Sequence, residues 1–395
     1  MSAPPPASYA RISFALFVGG FVTFSLLYSV QPLLPAITEE FHVNPATSSL
    51  VLSATSGALA VSMLAAAAFA DRAGRKRPMA ASVLASSLLS LLVPLCHDFR
   101  LLLGVRFVLG IALAGLPAVA MAYLAEEVPA SRLGAAMGIY IAGNAVGGMT
   151  GRLTIGLLTD AFTWRSALFI QGAVCLAASV WFARNLPDSQ HFRPVPVDLG
   201  TVISNLKAAI ASPALRPLYA IPFLVMGNFS AVYNYIAFLL MKPPYNLDHA
   251  QVGYIFLLYL VGTVGSTSFG RMADSIGRAK VLPIGIVLQA CGAFVTLAPP
   301  LWLKIAGLGL FTFGFFGAHA TASGWVGARS GNLKATAATL YLLAYYIGVT
   351  VGGWVGGYFW IHLGWSGVIL MVTLFLATAL AIALRIGRDS GDALT

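Results

Sequence analysis

The sequence predicts an all-α membrane protein of twelve spanning helices, built as two six-helix repeats with both termini cytoplasmic. Three observations predict it. Of 395 residues, 58% are hydrophobic and only 9% are charged, with a mean hydropathy of +0.85, which leaves too little polar surface to cover a water-soluble fold. Apolar runs of about 20 residues, the length needed to cross ~30 Å of hydrocarbon, recur from end to end. Short motifs also recur at nearly one offset. Because lipid offers the backbone no hydrogen-bond partners, spanning segments are helices or closed barrels, and continuous rather than alternating apolar runs select helices.

The twelve runs lie near residues 12–34, 49–69, 79–95, 101–124, 134–158, 165–184, 217–240, 252–270, 281–298, 303–326, 335–358 and 365–384. Arg11 ahead of the first run gives it the outline of a signal peptide. The run is too long for such a core and has a sister in mid-chain, so it reads as a retained helix. With an even number of spans both termini share one side. That side collects seventeen lysines and arginines, among them Arg11, Arg72, Arg75, Lys76, Arg77 and Arg132, whereas the opposite loops hold only Arg100, Arg165, Lys242 and Lys304. The asymmetry assigns the termini and the central loop to the cytoplasm. The formal charge of +10 is thus mostly topogenic, and no folded basic domain remains to bind nucleic acid.

The repeats appear in three places. "ADRAGRK" at 70–76 returns as "ADSIGRA" at 273–279, offset 203; "FSLLYS" at 24–29 returns as "FSAVYN" at 229–234, offset 205; and "GNAVGGMTG" at 143–151 returns as "GVTVGGWVG" at 348–356, offset 205. They divide the chain into an N-terminal half at 1–184, a linker at 185–216 and a C-terminal half at 217–395. Within the linker, "TVISNLKAAIASPALR" has the composition of an amphipathic helix on the inner membrane surface. Parallel repeats of this kind place a substrate site near mid-membrane, between the halves.

The turn after the second run resembles the signature of the major facilitator superfamily, G-x-x-x-D-R-x-G-R-K. It matches at Asp71, Arg72, Gly74, Arg75 and Lys76, with Ala67 in place of the first Gly, and a second copy stands at Gly270, Asp274, Gly277 and Arg278. "RFVLG" at 106–110 is similar to the fourth-helix motif. Gly134, Gly138, Gly143, Gly147 and Gly148 are similar to the Gly-rich antiporter motif, with Asn144 at its usual Pro. "YSVQPLLPAI", "GNAVGGMTGR" and "YNYIAFLLMKPPYNL" most resemble the YnfM-type branch of bacterial drug:proton antiporters. The resemblance covers essentially the whole chain and implies the major facilitator fold in a bacterial inner membrane.

Gly74 permits a tight turn, and Asp71 can accept bonds from helix N-terminal amides or pair with an arginine. The resemblance implies that this pairing latches an inner gate, which Glu126 and Arg132 extend and Asp274, Gly277 and Arg278 repeat. The plainer reading is that Arg72, Arg75, Lys76 and Arg77 enforce topology and touch anionic lipid. Within the spans polar groups are costly, and each of the thirteen carboxylates falls near a helix end or in a loop. Arg106 and Arg152 lie inside helices but do not lose their charge, so they hold an anion, modulate a neighbour or clamp packing rather than carry a proton. The resemblance associates the Arg106 position with proton coupling.

His319 is the one histidine deep in an apolar run, and alone among the deep residues it titrates near neutral pH. It is the proton-carrier candidate, against the alternative of a hydrogen-bonded histidine between packed helices. Tyr28, Gln31, Asn144, Asn228, Tyr233 and Asn234 are candidate substrate contacts together with Arg152, because polar and aromatic groups cluster at matching heights in the two sister helices.

No enzyme site, cofactor or metal cluster is expected: Cys96, Cys175 and Cys291 show no paired spacing, and no Walker loop is present. The sequence therefore predicts a monomeric, proton-coupled transporter exporting small organic molecules by alternating access, with lipid, substrate and protons as its partners. A symporter importing a sugar or organic anion, and a membrane sensor without net flux, are the alternatives.

Overall fold

Breaks in the apolar pattern, rather than propensity within it, set the element ends. In a computed structural model, which describes residues 9–192 and 199–389, every regular element is a helix. The chain runs through α1 (Tyr9–Tyr28), α2 (Leu34–Glu40), α3 (Pro45–Ala73), α4 (Lys76–Leu92), α5 (Phe99–Leu113), α6 (Gly115–Glu127), α7 (Ala130–Ala161) and α8 (Trp164–Asn185). It continues through α9 (Leu199–Ala211), α10 (Arg216–Leu240), α11 (His249–Tyr254), α12 (Tyr259–Ile276), α13 (Arg278–Val295), α14 (Leu301–Arg329) and α15 (Lys334–Asp389). Among the described residues ten stretches are long and apolar enough to cross a membrane. One of them, Gly331–Arg388, contains a backbone break at Gly364 (φ 59°, ψ −144°), and the 32-residue α7 is Gly-rich and lies outside the ten.

Local chemistry explains several ends. The Asp98 carboxylate accepts from the amides of Arg100 and Leu101 at 2.8 and 3.0 Å and caps α5, and Asp248 with Gln251 forms a reciprocal capping box on α11. Between α5 and α6 the helix breaks at Ala114, three residues before Pro117, whose missing N–H and ring disfavour a continuous helix. Ser82 Oγ satisfies the break: it donates to Ala112 O at 2.6 Å and accepts from the Leu116 amide at 3.2 Å.

The described residues gather into two compact units, one within Met1–Leu33 and Ala58–Val197, the other within Leu34–Gly57 and Asp198–Thr395. In unit 1, α7 packs on α1 through Gly143, Gly147 and Gly151: a methyl group there would lie 2.3, 2.2 and 2.6 Å from Phe17 O, Phe21 O and Ser25 Oγ. In unit 2, Gly348, Gly352 and Gly356 of α15 meet α10 in the same way, at 2.4 Å from Phe223 O, 2.2 Å from Gly227 O and 2.8 Å from Ala231 Cβ. Lipid provides no hydrophobic drive between helices, so close backbone approach and dispersion hold these pairs. Gly134 and Gly138, by contrast, face open space. The N-terminal part of α3 groups with unit 2 through hydroxyls: Ser49 donates to Gly353 O at 3.3 Å, Ser53 to Thr350 O at 3.2 Å, and Ser56 pairs with the Thr350 hydroxyl at 3.1 Å. Outward positions such as Phe14, Leu88, Phe107, Val264 and Trp354 are exposed and apolar, as a lipid-facing surface requires.

Candidate functional site

Deep in unit 1 two guanidinium groups are placed by α1. Arg106, buried, donates from Nη1 to Leu26 O at 3.1 Å and from Nη2 to Leu27 O at 2.8 Å, at the end of α1. Those carbonyls belong to the last turn, where helical partners run out and partial negative charge collects, so a cation is favoured there. Arg152, also buried, donates from Nε to Gln31 Oε1 at 2.6 Å and from Nη1 to Gly148 O at 2.5 Å, and its Cζ lies 3.9 Å from the centroid of the Tyr28 ring. Tyr28, Gln31 and Arg152 therefore form one cluster, in which a cation rests on an aromatic face. Gln171, which sequence reasoning missed, braces it from α8 by donating to Ser25 Oγ at 2.8 Å and Gly151 O at 3.2 Å. Asn144 lies about two turns before Arg152 on α7, its Oδ1 against Gly20.

Unit 2 holds the other deep candidates. Tyr233 is buried, its hydroxyl 2.6 Å from Thr312 Oγ1, inside a ring cluster centred on Phe229, whose centroid is 4.0 Å from Phe315 and 4.7 Å from Tyr233. Asn234 packs against Gly353. Neither Oδ1 nor Nδ2 of the fully buried Asn228 carboxamide has a hydrogen-bond partner, an arrangement that disfavours a purely structural role for it. His319, half-buried in α14, is flanked by Phe315, Tyr341 and Tyr345 at centroid distances of 5.9, 5.5 and 5.2 Å. Its Nδ1 is 2.9 Å from Tyr341 Oη, which also lies 3.1 Å from His319 O. A tyrosine hydroxyl has one proton. Both contacts are satisfied when Oη donates to the carbonyl and Nδ1–H donates to Oη, leaving Nε2 with the free lone pair.

The two charged turns have a common backbone. Gly74 and Gly277 both adopt φ 88°, a left-handed value that a side chain would strain, and each ends one helix and starts the next. Around Gly74 the charges close on one another. Arg75, with a side chain only 10% exposed, donates from Nη1 to Asp71 Oδ1 at 2.5 Å and from Nη2 and Nε to Glu126 Oε1 at 2.7 and 3.1 Å. Burial alone would lower the pKa of this guanidinium, but the hydrogen bonds and charges of Glu126 and Asp71 outweigh it and the net shift is upward. Arg72 is exposed, and Arg132 stacks its guanidinium on Tyr9 at 5.4 Å. Around Gly277, the ion pair among the described residues is Arg278 Nη2 to Asp274 Oδ1 at 4.0 Å, with the Asp274 side chain 78% exposed.

The linker start, which carries no apolar periodicity, docks on the Gly74 network. Lys76 Nζ reaches Asp188 Oδ1 at 3.2 Å, and Tyr123 Oη donates to Pro187 O at 2.9 Å. The Glu127 carboxylate, 4% exposed, accepts from the His191 amide at 2.9 Å and contacts His191 Nδ1 at 3.1 Å, and Phe192 lies under Arg75 at 5.3 Å. No cluster of three or more potential metal ligands occurs among the described residues.

Long apolar helices with an exposed apolar exterior, guanidinium groups deep inside and charged networks confined to the ends define a multi-pass membrane carrier. The sequence profile described as Major Facilitator Superfamily matches residues 16–243. The chain is 44% identical over 381 residues to the uncharacterized MFS-type transporter YybF of Bacillus subtilis (strain 168), covering 96% of this chain and 94% of that protein. It is 40% identical over 380 residues to the inner membrane transport protein YnfM of Escherichia coli (strain K12), covering 96% and 91%. A bacterial homolog of the human lysosomal transporter Spinster, solved inward-facing and unoccupied, superposes with a TM-score of 0.80 over 98% of each chain at 16% identity and so shares the fold. The chain belongs to the Major Facilitator Superfamily. It is a multi-pass membrane transporter of the bacterial inner membrane.

Proposed function

We propose that the protein is a proton-coupled secondary transporter that exports small organic molecules by alternating access, with twelve spans in two six-helix repeats and both termini cytoplasmic. The observation that carries the coupling is His319. It is a titratable imidazole in mid-helix, tied through Nδ1 to Tyr341, in a chain whose acidic side chains keep to helix ends and loops. Proton gain at Nε2 charges a half-buried site walled by rings, and substrate release or reopening of the site to water is what discharges it. Asn228, Tyr233, Asn234 and Asn144 are the substrate contacts of this reading. The parallel glycine contacts of α7 on α1 and of α15 on α10 support the two-repeat layout. The charged turn at Asp71, Gly74, Arg75 and Glu126, with its partner at Asp274, Gly277 and Arg278, forms the gates.

A second reading follows from the Tyr28–Gln31–Arg152 cluster: a guanidinium held on an aromatic face recognises a carboxylate or carbonyl, and import of an organic anion with protons would use it. One experiment decides. In proteoliposomes screened against small organic molecules under an imposed pH gradient, export by antiport drives substrate against the proton flux and symport drives it with the flux. His319→Gln, which keeps hydrogen-bonding capacity but does not titrate, is expected to abolish uphill transport and retain downhill exchange. Uphill transport at the wild-type rate in His319→Gln removes His319 as the carrier.

A further inference from the structure

We propose that Tyr341 is a positioning residue through which α15 reads the protonation state of His319, so that a proton on the imidazole tightens the tie between α14 and α15. The inference rests on His319 as the proton carrier and says where in unit 2 that proton is felt.

Glycine contacts sort the long helices of unit 2 into two glued pairs. α14 lies on α13: a methyl group on Gly285 would sit 2.8 Å from Ala318 N, and one on Gly314 would sit 2.4 Å from Gln289 N. α15 lies on α10 through Gly348 and Gly352, where a methyl group would meet Phe223 O at 2.4 Å and Gly227 O at 2.2 Å. Within each pair the backbones touch, so neither helix shifts without a clash. Polar bridges join one pair to the other: Tyr233 Oη to Thr312 Oγ1 at 2.6 Å, Gln289 Nε2 to Val225 O at 3.3 Å, Trp365 Nε1 to Thr296 Oγ1 at 3.0 Å, and His319 Nδ1 to Tyr341 Oη at 2.9 Å. Of these four, only the last contains a group that changes charge near neutral pH.

The chemistry of that bridge fixes the sign. Tyr341 Oη also lies 3.1 Å from His319 O, which only accepts, so the hydroxyl proton goes to the carbonyl and Nδ1–H donates to Oη. A hydroxyl proton turned to Nδ1 would instead leave two oxygens facing each other with no proton between them. When a proton from water binds Nε2, Nδ1 keeps its hydrogen and becomes the donor of an imidazolium. A charge-assisted hydrogen bond is roughly twice as strong as a neutral one. By linkage the effect is reciprocal: an arrangement that parts α15 from α14 releases the proton more readily than one that holds them together. The side chains facing the ring are Phe315 of α14 with Tyr341 and Tyr345 of α15. Toward the end of α14 the charged groups are Arg278 of α13, whose Nε lies 3.6 Å from a methyl group placed on Gly324, and Arg329, and both keep their charge.

The test is magnetic resonance of the purified full chain carrying ¹⁵N-histidine and ¹³Cζ-tyrosine, titrated between about pH 4 and 9. The chain has six histidines, and the His319 signals are those lost in His319→Gln; the Tyr341 signal is the one lost in Tyr341→Phe. In the neutral form the Nδ1–H tautomer is expected in about fivefold excess, the ratio that one net hydrogen bond supports. Tyr341→Phe keeps the ring and should erase that excess, while Tyr345→Phe should retain it. On acidification the Tyr341 signal should move with the same midpoint as the His319 nitrogens, and it should stay fixed in His319→Gln. A predominant Nε2–H tautomer in the wild type, an excess that survives in Tyr341→Phe, or a Tyr341 signal that does not follow His319 overturns the inference. Failure of the carrier reading looks different: uphill transport at the wild-type rate in His319→Gln removes His319 as carrier, with the tautomer and the shared midpoint intact.

Discussion

The turns at Asp71–Lys76 in unit 1 and Asp274–Lys280 in unit 2 bend alike, each at a glycine with φ 88°, yet the first is electrically closed and the second is open. In unit 1 the arginine after the glycine is buried between Asp71 and Glu126; in unit 2 its counterpart pairs, among the described residues, with Asp274 at 4.0 Å. The backbone path is therefore set by glycine, and in unit 1 the charge pattern is set separately by a residue more than fifty positions away, Glu126. Similar motifs need not do similar work. A closed turn clamps helix ends, whereas a long contact with an exposed carboxylate does not.

The largest expected effect tests a place where the units should not differ. A methyl group on Gly147 meets Phe21 O at 2.2 Å and one on Gly352 meets Gly227 O at 2.2 Å. Neither backbone can yield without parting a helix pair, so Gly147→Ala and Gly352→Ala should each cost about 3 kcal/mol or more. Both variants are expected to lose most of their monodisperse yield in fluorescence-detected size exclusion, while Gly134→Ala, which has nothing within 4 Å, keeps it. Loss at Gly147 alone would show that the two glycine seams are not equivalent.

The turns themselves should then separate. Arg75→Gln removes the donor from two carboxylates and leaves them facing each other, a loss of about 2 kcal/mol for partly buried, charge-assisted hydrogen bonds. Scanning fluorimetry should register a fall in melting temperature of roughly 4–8 °C if unit 1 melts cooperatively. Arg278→Gln breaks only an exposed, long contact and should move the melting temperature by about 1 °C or less. Equal shifts would erase the distinction between a closed and an open turn.

Much of this was legible in the sequence for identifiable reasons. Each expected apolar run falls largely in helix because run length and lipid chemistry suffice to select helices, and Asp71 pairs with an arginine, Arg75, across the Gly74 turn, a pairing the residue types of that short segment propose. The amphipathic linker segment is α9, with Val202, Ile203 and Ile210 exposed. Less legible were contacts that depend on how helices cross. Gln31 and Arg152 were both candidates, but their 2.6 Å bond spans 121 positions and needs the close α1–α7 approach that Gly147 and Gly151 allow. Gly134 and Gly138 have the spacing of packing glycines and pack on nothing, so spacing without a partner helix misleads. The grouping of Leu34–Gly57 with unit 2 includes serine hydroxyl bonds and the close approach of Ala46 to Gly357, which leave no periodic mark.

The smallest expected effect concerns the linker start, which adds a clasp to the closed turn. Two kinds of contact hold it, and their exposures rank them. The Lys76–Asp188 pair joins a partly covered lysine to an aspartate open to water, where screening and side-chain entropy leave about 0–1 kcal/mol, so Asp188→Asn should change little. Glu127 is different because its carboxylate is almost wholly covered and accepts from the His191 backbone amide at 2.9 Å. That amide should exchange slowly with solvent in the native protein, and hydrogen exchange at His191 reads the clasp directly. Glu127→Ala removes the acceptor and should speed His191 exchange by about tenfold, equivalent to ~1.4 kcal/mol, while His191→Ala keeps the backbone donor and should lose less. Asp188→Asn should stay within about twofold of wild type. A His191 amide that exchanges in the wild type as fast as an unstructured peptide would mean that the linker start is not clasped, and the closed turn would then owe its hold to Asp71, Arg75 and Glu126 alone.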